Sequence, residues 1–384
     1  MWETCPQPRR NRLHLPVSST CGSLNQLEIQ EAEEQNREAS PRPVVPTHKC
    51  CCDIWDSSGR KPARLPLEKP KSHEDANKAF VQRVCLPFLL SSQNNDGGWG
   101  FRSDARSRVE ATAWVLLALR ACGSVAAISE PVAGGFRFLQ VSQLPDGAWP
   151  ASPDSPQGSW TTSLACWASL GVAEYSSIVD RGLTWLCADK PGETRLWWRL
   201  LRRLLGAHRV SKQKVSCYGW SWTPGTASWV EPTSYAVIVL GSAQASRLPA
   251  VARRMKLAEA MLYDRMCDGG GWNCGNPMVY GVPGEPQVGT TAWALLALRH
   301  YVDRPENQLS VQWLEQAWPK MPSPASLALA HLALDAYGRE NADLGLALRK
   351  ALEASETPWD VPTAAWATLA LCGSRNWLPS SSMQ

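Results

Sequence analysis

A glycine–tryptophan turn followed by a helix that is apolar all round recurs along this 384-residue chain. That recurrence limits the fold more than any other feature. The first copy runs from Gln93 to Arg120: a glutamine, the turn Asp96-Gly97-Gly98-Trp99, a polar loop, and then Glu110-Ala111-Thr112-Ala113-Trp114-Val115-Leu116-Leu117-Ala118-Leu119. Asp-Gly-Gly is turn chemistry, with glycine where the backbone needs positive φ. The run after Glu110 consists largely of good helix formers and has no polar stripe, so such a helix must be covered on most sides. Copy two carries Gln143, Gly147 and Trp149 before Trp160 to Ala165. Copy three carries Gly219-Trp220-Ser221-Trp222 before Glu231 to Leu240, and copy four Asp268 to Trp272 before Thr290 to Leu298. Two degenerate copies follow, Trp313 to Trp318 with Ala325 to Leu334, and Trp359 with Thr363 to Leu371.

The turn tryptophans fall at 99, 149, 222, 272, 318 and 359, a period of roughly 40–50 residues apart from about 20 extra before copy three. Amphipathic stretches such as Val251 to Met266 lie between copies. Each unit therefore predicts an outer helix, a turn and an inner helix. Six such units predict an all-α fold, a closed (α/α)6 toroid of two concentric helix rings. The inner helices are expected at 111–121, 162–170, 233–241, 291–300, 326–337 and 363–372, parallel, with their N-termini at one mouth.

Residues 73–384 form that toroid in this reading, as one domain. Residues 1–72 differ: rich in Pro, Arg, Glu and Ser, poor in aromatics and without a sustained period, they read as a disordered N-terminal segment that adds nothing to the core. Cys50-Cys51-Cys52 in that segment lacks a CxxC pair or a histidine at ligand spacing, which argues against zinc. Most other cysteines among the thirteen sit in apolar helical runs, as small hydrophobes in a reducing compartment. The net charge of +4 is spread along the chain and leaves no nucleic-acid footprint. With neither a signal-peptide core at the N-terminus nor about 20 consecutive apolar residues for a spanning helix, a cytoplasmic location is expected. One stretch qualifies that. Arg195 to Leu205, RLWWRLLRRLL, taken as a helix, gathers Arg195, Arg199, Arg202 and Arg203 on one side, the composition of an interfacial membrane anchor; an outer-ring helix packed inward is the alternative.

Phe88-Leu89 followed by Gln93, Gly97 and Trp99, and Phe138-Leu139 followed by Gln143, Gly147 and Trp149, resemble the glutamine–tryptophan repeat of squalene–hopene and oxidosqualene cyclases. Over residues 75 to 375 the chain resembles the terpenoid cyclase and protein prenyltransferase superfamily, whose fold is an α/α toroid. The resemblance implies that Gln93, Trp99, Gln143 and Trp149 tie helix ends together. It also implies an isoprenoid substrate. Class II cyclases begin with an aspartic acid that protonates an alkene or epoxide. The Asp-x-Asp-Asp motif is absent here, but its protonating residue aligns with Glu110 in copy one and with Glu231 in copy three. Both are the candidate acids, against the reading that carboxylates simply favour a helix first turn. Glu231 is the stronger expectation, because Arg102, Arg106 and Arg108 precede Glu110 and would hold it ionised. The zinc ligands of the prenyltransferase branch are not matched at Glu110-Ala111-Thr112, so neither metal nor other cofactor is expected.

Twenty tryptophans against five phenylalanines suit a cavity that binds a greasy chain and stabilises cations through ring faces. Trp99, Trp160, Trp220, Trp222, Trp229 and Trp272 are the expected substrate-binding residues, and Trp114 and Trp293, at mid-helix, the expected core filler. The leading reading is an enzyme acting on a polyprenyl or triterpene-like substrate. The competing one is a non-catalytic toroid that binds an isoprenoid lipid or a protein partner.

Overall fold

The computed structural model describes residues 72–380, apart from 124–125, 198–199, 201–203, 205–212, 215, 280, 340–341 and 356–358. The expectation for residues 1–72 falls, but for Ser72, outside the described residues. Helices account for nearly all regular structure. Outer helix α1 joins His73–Phe80, the π-helical Val81–Cys85 and Leu86–Ser91. The chain then alternates inner and outer helices: α2 Val109–Ala121, α3 Ala126–Ser142, α4 Thr161–Ser169, α5 Ser176–Ala188, α6 Val230–Leu240 and α7 Val251–Asp264. It continues with α8 Val288–Ala297, α9 Pro305–Ala317, α10 Pro324–Ala336, α11 Ala342–Glu353 and α12 Val361–Cys372. Two small hairpins, β1–β2 (Pro150–Ser152 and Ser155–Gly158) and β3–β4 (Met278–Val279 and Val282–Pro283), decorate the loops leading into α4 and α8.

The even-numbered helices pack side by side in the order α2, α4, α6, α8, α10, α12, and α12 returns to α2. This is a closed ring, and each inner helix is backed by an odd-numbered outer one. Their composition explains the placement: α2, α4, α6 and α8 are buried over almost every residue, whereas α5, α7 and α11 bury only one stripe. A helix without a polar face is stable only between neighbours on both sides.

The repeated tryptophan supplies the joint. Trp99 donates its backbone N–H to Thr112 Oγ1 (2.9 Å) and its indole N–H to the Leu89 carbonyl at the end of α1 (2.7 Å). Trp149 does the same with Thr162 and Leu139, Trp220 with Thr233 and Leu186, and Trp272 with Thr291 and Leu262. Carbonyls in the last turn of a helix lack intrahelical partners, and these indoles satisfy one each. Gln93 and Gln143 bridge laterally, each donating from Nε2 to its own glycine turn and to the next outer helix, at Pro131 and Ile178. In copy three the joint is Trp220, whereas the period pointed to Trp222. Gly97 shows why the turn needs glycine: its φ is +84°, and a Cβ there would lie 2.5 Å from the Gly134 carbonyl oxygen. Replacing Trp99 by Phe keeps most of the ring volume but strands the buried Leu89 carbonyl. Chemical denaturation should show a loss of about 1–3 kcal/mol; a variant as stable as the parent would refute the joint.

Candidate active site

Glu110 and Glu231 are each the second residue of an inner helix, α2 and α6, and both lie at the mouth where the inner N-termini gather. They are close enough for charge to couple them. The Glu110 carboxyl is pushed up to about 7, first by burial, then by the negative charges of Glu231 and Asp360; Arg108 only partly opposes this. Glu231 is also raised by burial, with the hydroxyl of Thr290 donating to its Oε1 at 2.9 Å and holding the rise in check. Glu110 feels the charge of Glu231, which favours its neutral form. Burial therefore raises both candidate acids, Glu110 included. The arginines upstream of Glu110 fail to hold it ionised because Arg106 points to Asp154 (3.6 Å) and Arg102 is exposed.

Asp360, absent from the sequence reasoning, is the third carboxylate of the mouth. It caps α12, accepting from Thr363 N–H and Oγ1, both at 2.8 Å. Its signal was the N-cap pattern Asp-Val-Pro-Thr. It sits two residues before the proline, whereas Glu231 sits one before.

The six tryptophans expected to bind substrate divide into two groups. Trp99, Trp220 and Trp272 are buried joints whose indole N–H groups are already bonded to carbonyls. Trp160, Trp222 and Trp229 are partly exposed near the acids. Trp160 and Trp222 meet edge to face at 4.7 Å, and Trp160 lies 5.8 Å from the ring of Tyr235. Tyr235 in turn lies in the field of both glutamates. The tryptophan-rich loop before α6 is ordered by a buried carboxylate: Glu193 accepts from the Ser228 N–H at 3.0 Å and from its hydroxyl, while Ser228 Oγ accepts from the Gly219 N–H.

One turn below the acids the axis is filled. Trp114, Tyr235, Trp293 and Trp366 are each the sixth residue of their inner helices. Trp114 stacks on Trp293 at 5.0 Å and meets Tyr235, Trp366 and Trp167 edge to face at 5.6–5.8 Å. Trp114 and Trp293 are thus core, as expected from their mid-helix positions, and the site is floored at the level of this layer. A cavity of about 210 Å³ lies beyond it, at the far end, lined by Leu117, Arg120, Trp167 and Trp377 among others and by no carboxylate. Among the described residues no group of three His, Cys, Asp or Glu side chains could hold a metal ion.

Residues 68–158 match the family model described as the squalene-hopene cyclase C-terminal domain. Lanosterol synthase of Mus musculus is 38% identical over 82 residues, which make up 19% of this chain and only 11% of that protein. A solved type II terpene cyclase from Scytonema, in complex with geranylgeranyl dihydroxybenzoate as substrate, superposes with a TM-score of 0.51 at 16% identity, over 77% of this chain and 97% of its own. A protein from Actinoplanes superposes with a TM-score of 0.52 at 15% identity, over 77% and 99%. The closed double ring with its tryptophan joints defines an α/α toroid of the terpene cyclase type. Residues 68–158 are thus similar to the squalene-hopene cyclase family, and the described residues share the fold of the type II terpene cyclases.

Proposed function

We propose that the chain is an enzyme of isoprenoid metabolism that starts cyclisation or isomerisation of a polyprenyl or triterpene-like substrate with a proton from Glu110. The observation that carries this reading is a carboxyl pushed up to about 7 by burial and then by two other carboxylates, at a mouth with partly exposed tryptophans. The proton passes from the Glu110 carboxyl to an alkene carbon or epoxide oxygen, leaving a carbocation. The ring faces of Trp160, Trp222 and Trp229 would stabilise that cation. Loss of a proton from the product cation, or capture of water, ends the sequence. A negative charge on Glu231 would help to keep the proton on Glu110. The substrate bound by the Scytonema enzyme, a geranylgeranyl compound, supports an isoprenoid of comparable chemistry.

The test is incubation of the purified chain with squalene, oxidosqualene and geranylgeranyl compounds, read by mass spectrometry. A cyclic or isomerised product is expected, of unchanged mass after proton loss or heavier by one water after capture, and tight binding with no turnover would sink the enzyme reading. A toroid that only binds lipid or protein is the second reading. The filled aromatic layer favours it, because little axial depth is left for a long chain. Removing the charge of Glu231 should lower the Glu110 pKa, so Glu231→Gln should move the alkaline limb of the activity profile to lower pH. An unmoved limb would separate the two carboxyls.

We further infer a cytoplasmic protein in peripheral contact with a membrane through residues 195–205. Among the described residues no helix is long and apolar enough to cross a membrane. In this segment Leu196, Trp197, Leu200 and Leu204 are 82%, 58%, 59% and 74% exposed, which supports contact with lipid over inward packing. Flotation with anionic vesicles should carry the protein upward. Replacing the three leucines by glutamate should abolish this, and retained flotation would remove the contact.

A further inference from the structure

Five of the six junctions in the inner ring join units that follow one another in the chain. The sixth, between α2 and α12, closes the last unit on the first, where the Val361 N–H donates to the Phe101 carbonyl (2.9 Å) at the N-terminal end. At its C-terminal end Cys122, the residue after α2, and Cys372, the last residue of α12, bring their sulfurs to 3.1 Å across 250 residues of sequence. Both are free thiols and partly exposed, whereas Cys85 nearby is fully buried. We propose that Cys122 and Cys372 are a redox-active pair whose disulfide locks the ring shut at its seam.

The geometry suits exchange with a small disulfide such as oxidised glutathione. Cys372 Sγ, as thiolate, attacks one sulfur of the reagent and expels a glutathione thiolate, which takes up a proton. Cys122 then loses its proton and attacks Cys372 Sγ in the mixed disulfide, expelling the second glutathione. Two protein thiols are oxidised, and one glutathione disulfide is reduced to two thiols. Either thiol could donate to the other across this contact; with Cys122 as the donor, the Cys372 thiol is lowered and that of Cys122 raised, so Cys372 is taken as the attacking group. Burial pushes Cys85 up to about 12, so the third thiol is a poor nucleophile. A bond across the seam constrains the unfolded chain over most of the repeat region, where loop-closure entropy is large. A reducing compartment would keep the pair open and an oxidising episode would close it.

The experiment titrates the full chain with oxidised and reduced glutathione, followed by peptide mapping and thermal melting. Expected are a peptide pair linked through Cys122 and Cys372, faster migration on a non-reducing gel, and a rise in melting temperature that reductant reverses. All three should be lost in Cys122→Ser and in Cys372→Ser and kept in Cys187→Ser. The proposal is overturned if each thiol carries glutathione separately, if the link runs to Cys85, or if the linked protein melts no higher than the reduced one.

Discussion

Glu110→Gln is expected to remove isoprenoid turnover, a loss of at least about 10²–10⁴-fold for a missing general acid, and at the same time to stabilise the protein above pH 7. The two effects share one cause. Native Glu110 titrates near 7, above the ordinary carboxylate value of 4.5, so between those values the native state binds more protons than the unfolded chain. Its contribution to stability therefore falls as pH rises through that window, by up to about 1.4 kcal/mol per pH unit, and stays low above it. Above pH 7 the parent buries a charge beside Glu231 and Asp360, which glutamine does not. The variant should melt higher than the parent at pH 8 and no higher at pH 5, a readout independent of any substrate. If the variant melts lower at pH 8, the carboxylate is a helix-end stabiliser and the assignment of the acid fails. Stabilisation with unimpaired turnover would leave the electrostatics intact but move the proton donor elsewhere.

The fold was legible because its joints are local. Each of Trp99, Trp149 and Trp220 lies 13 residues before the threonine that takes its N–H, and both partners belong to the same repeat. That spacing would also have chosen Trp220 over Trp222, two residues apart in Gly-Trp-Ser-Trp, where the overall period could not. In copy four the interval is 19, because the β3–β4 hairpin is inserted between turn and helix. The division of the tryptophans was less legible. A joint and a mouth residue are the same side chain in similar glycine-rich surroundings, and only the position of a carbonyl separates Trp272 from Trp229. The rise at Glu110 could not be read locally. The shift at Glu110 depends on burial by neighbouring helices and on carboxylates 121 and 250 positions away, and helix-dipole and nearest-charge arguments omit both.

Trp114→Ala should cost about 3–5 kcal/mol, the range for truncating a fully buried large aromatic. It is the centre of the aromatic layer, with no exposed surface and ring contacts to Trp167, Tyr235, Trp293 and Trp366 from four other inner helices. Three of those helices, α4, α6 and α8, are fixed by their tryptophan joints, so the wall should not collapse into the gap, and the cavity term should be close to its maximum. Loss of the indole N–H adds nothing, because it has no hydrogen-bond partner in the folded protein. The gap is dry and indole-shaped. Added indole should therefore raise the melting temperature of the variant in proportion to ln(1 + [L]/Kd) and leave the parent unmoved. A loss below about 1 kcal/mol, or a variant indifferent to indole, would mean that the rings do not close the axis. An open axis would return long polyprenyl chains to the range of substrates the mouth admits. A variant rescued by indole and newly active on longer chains would identify Trp114 as the residue that sets the depth of the site.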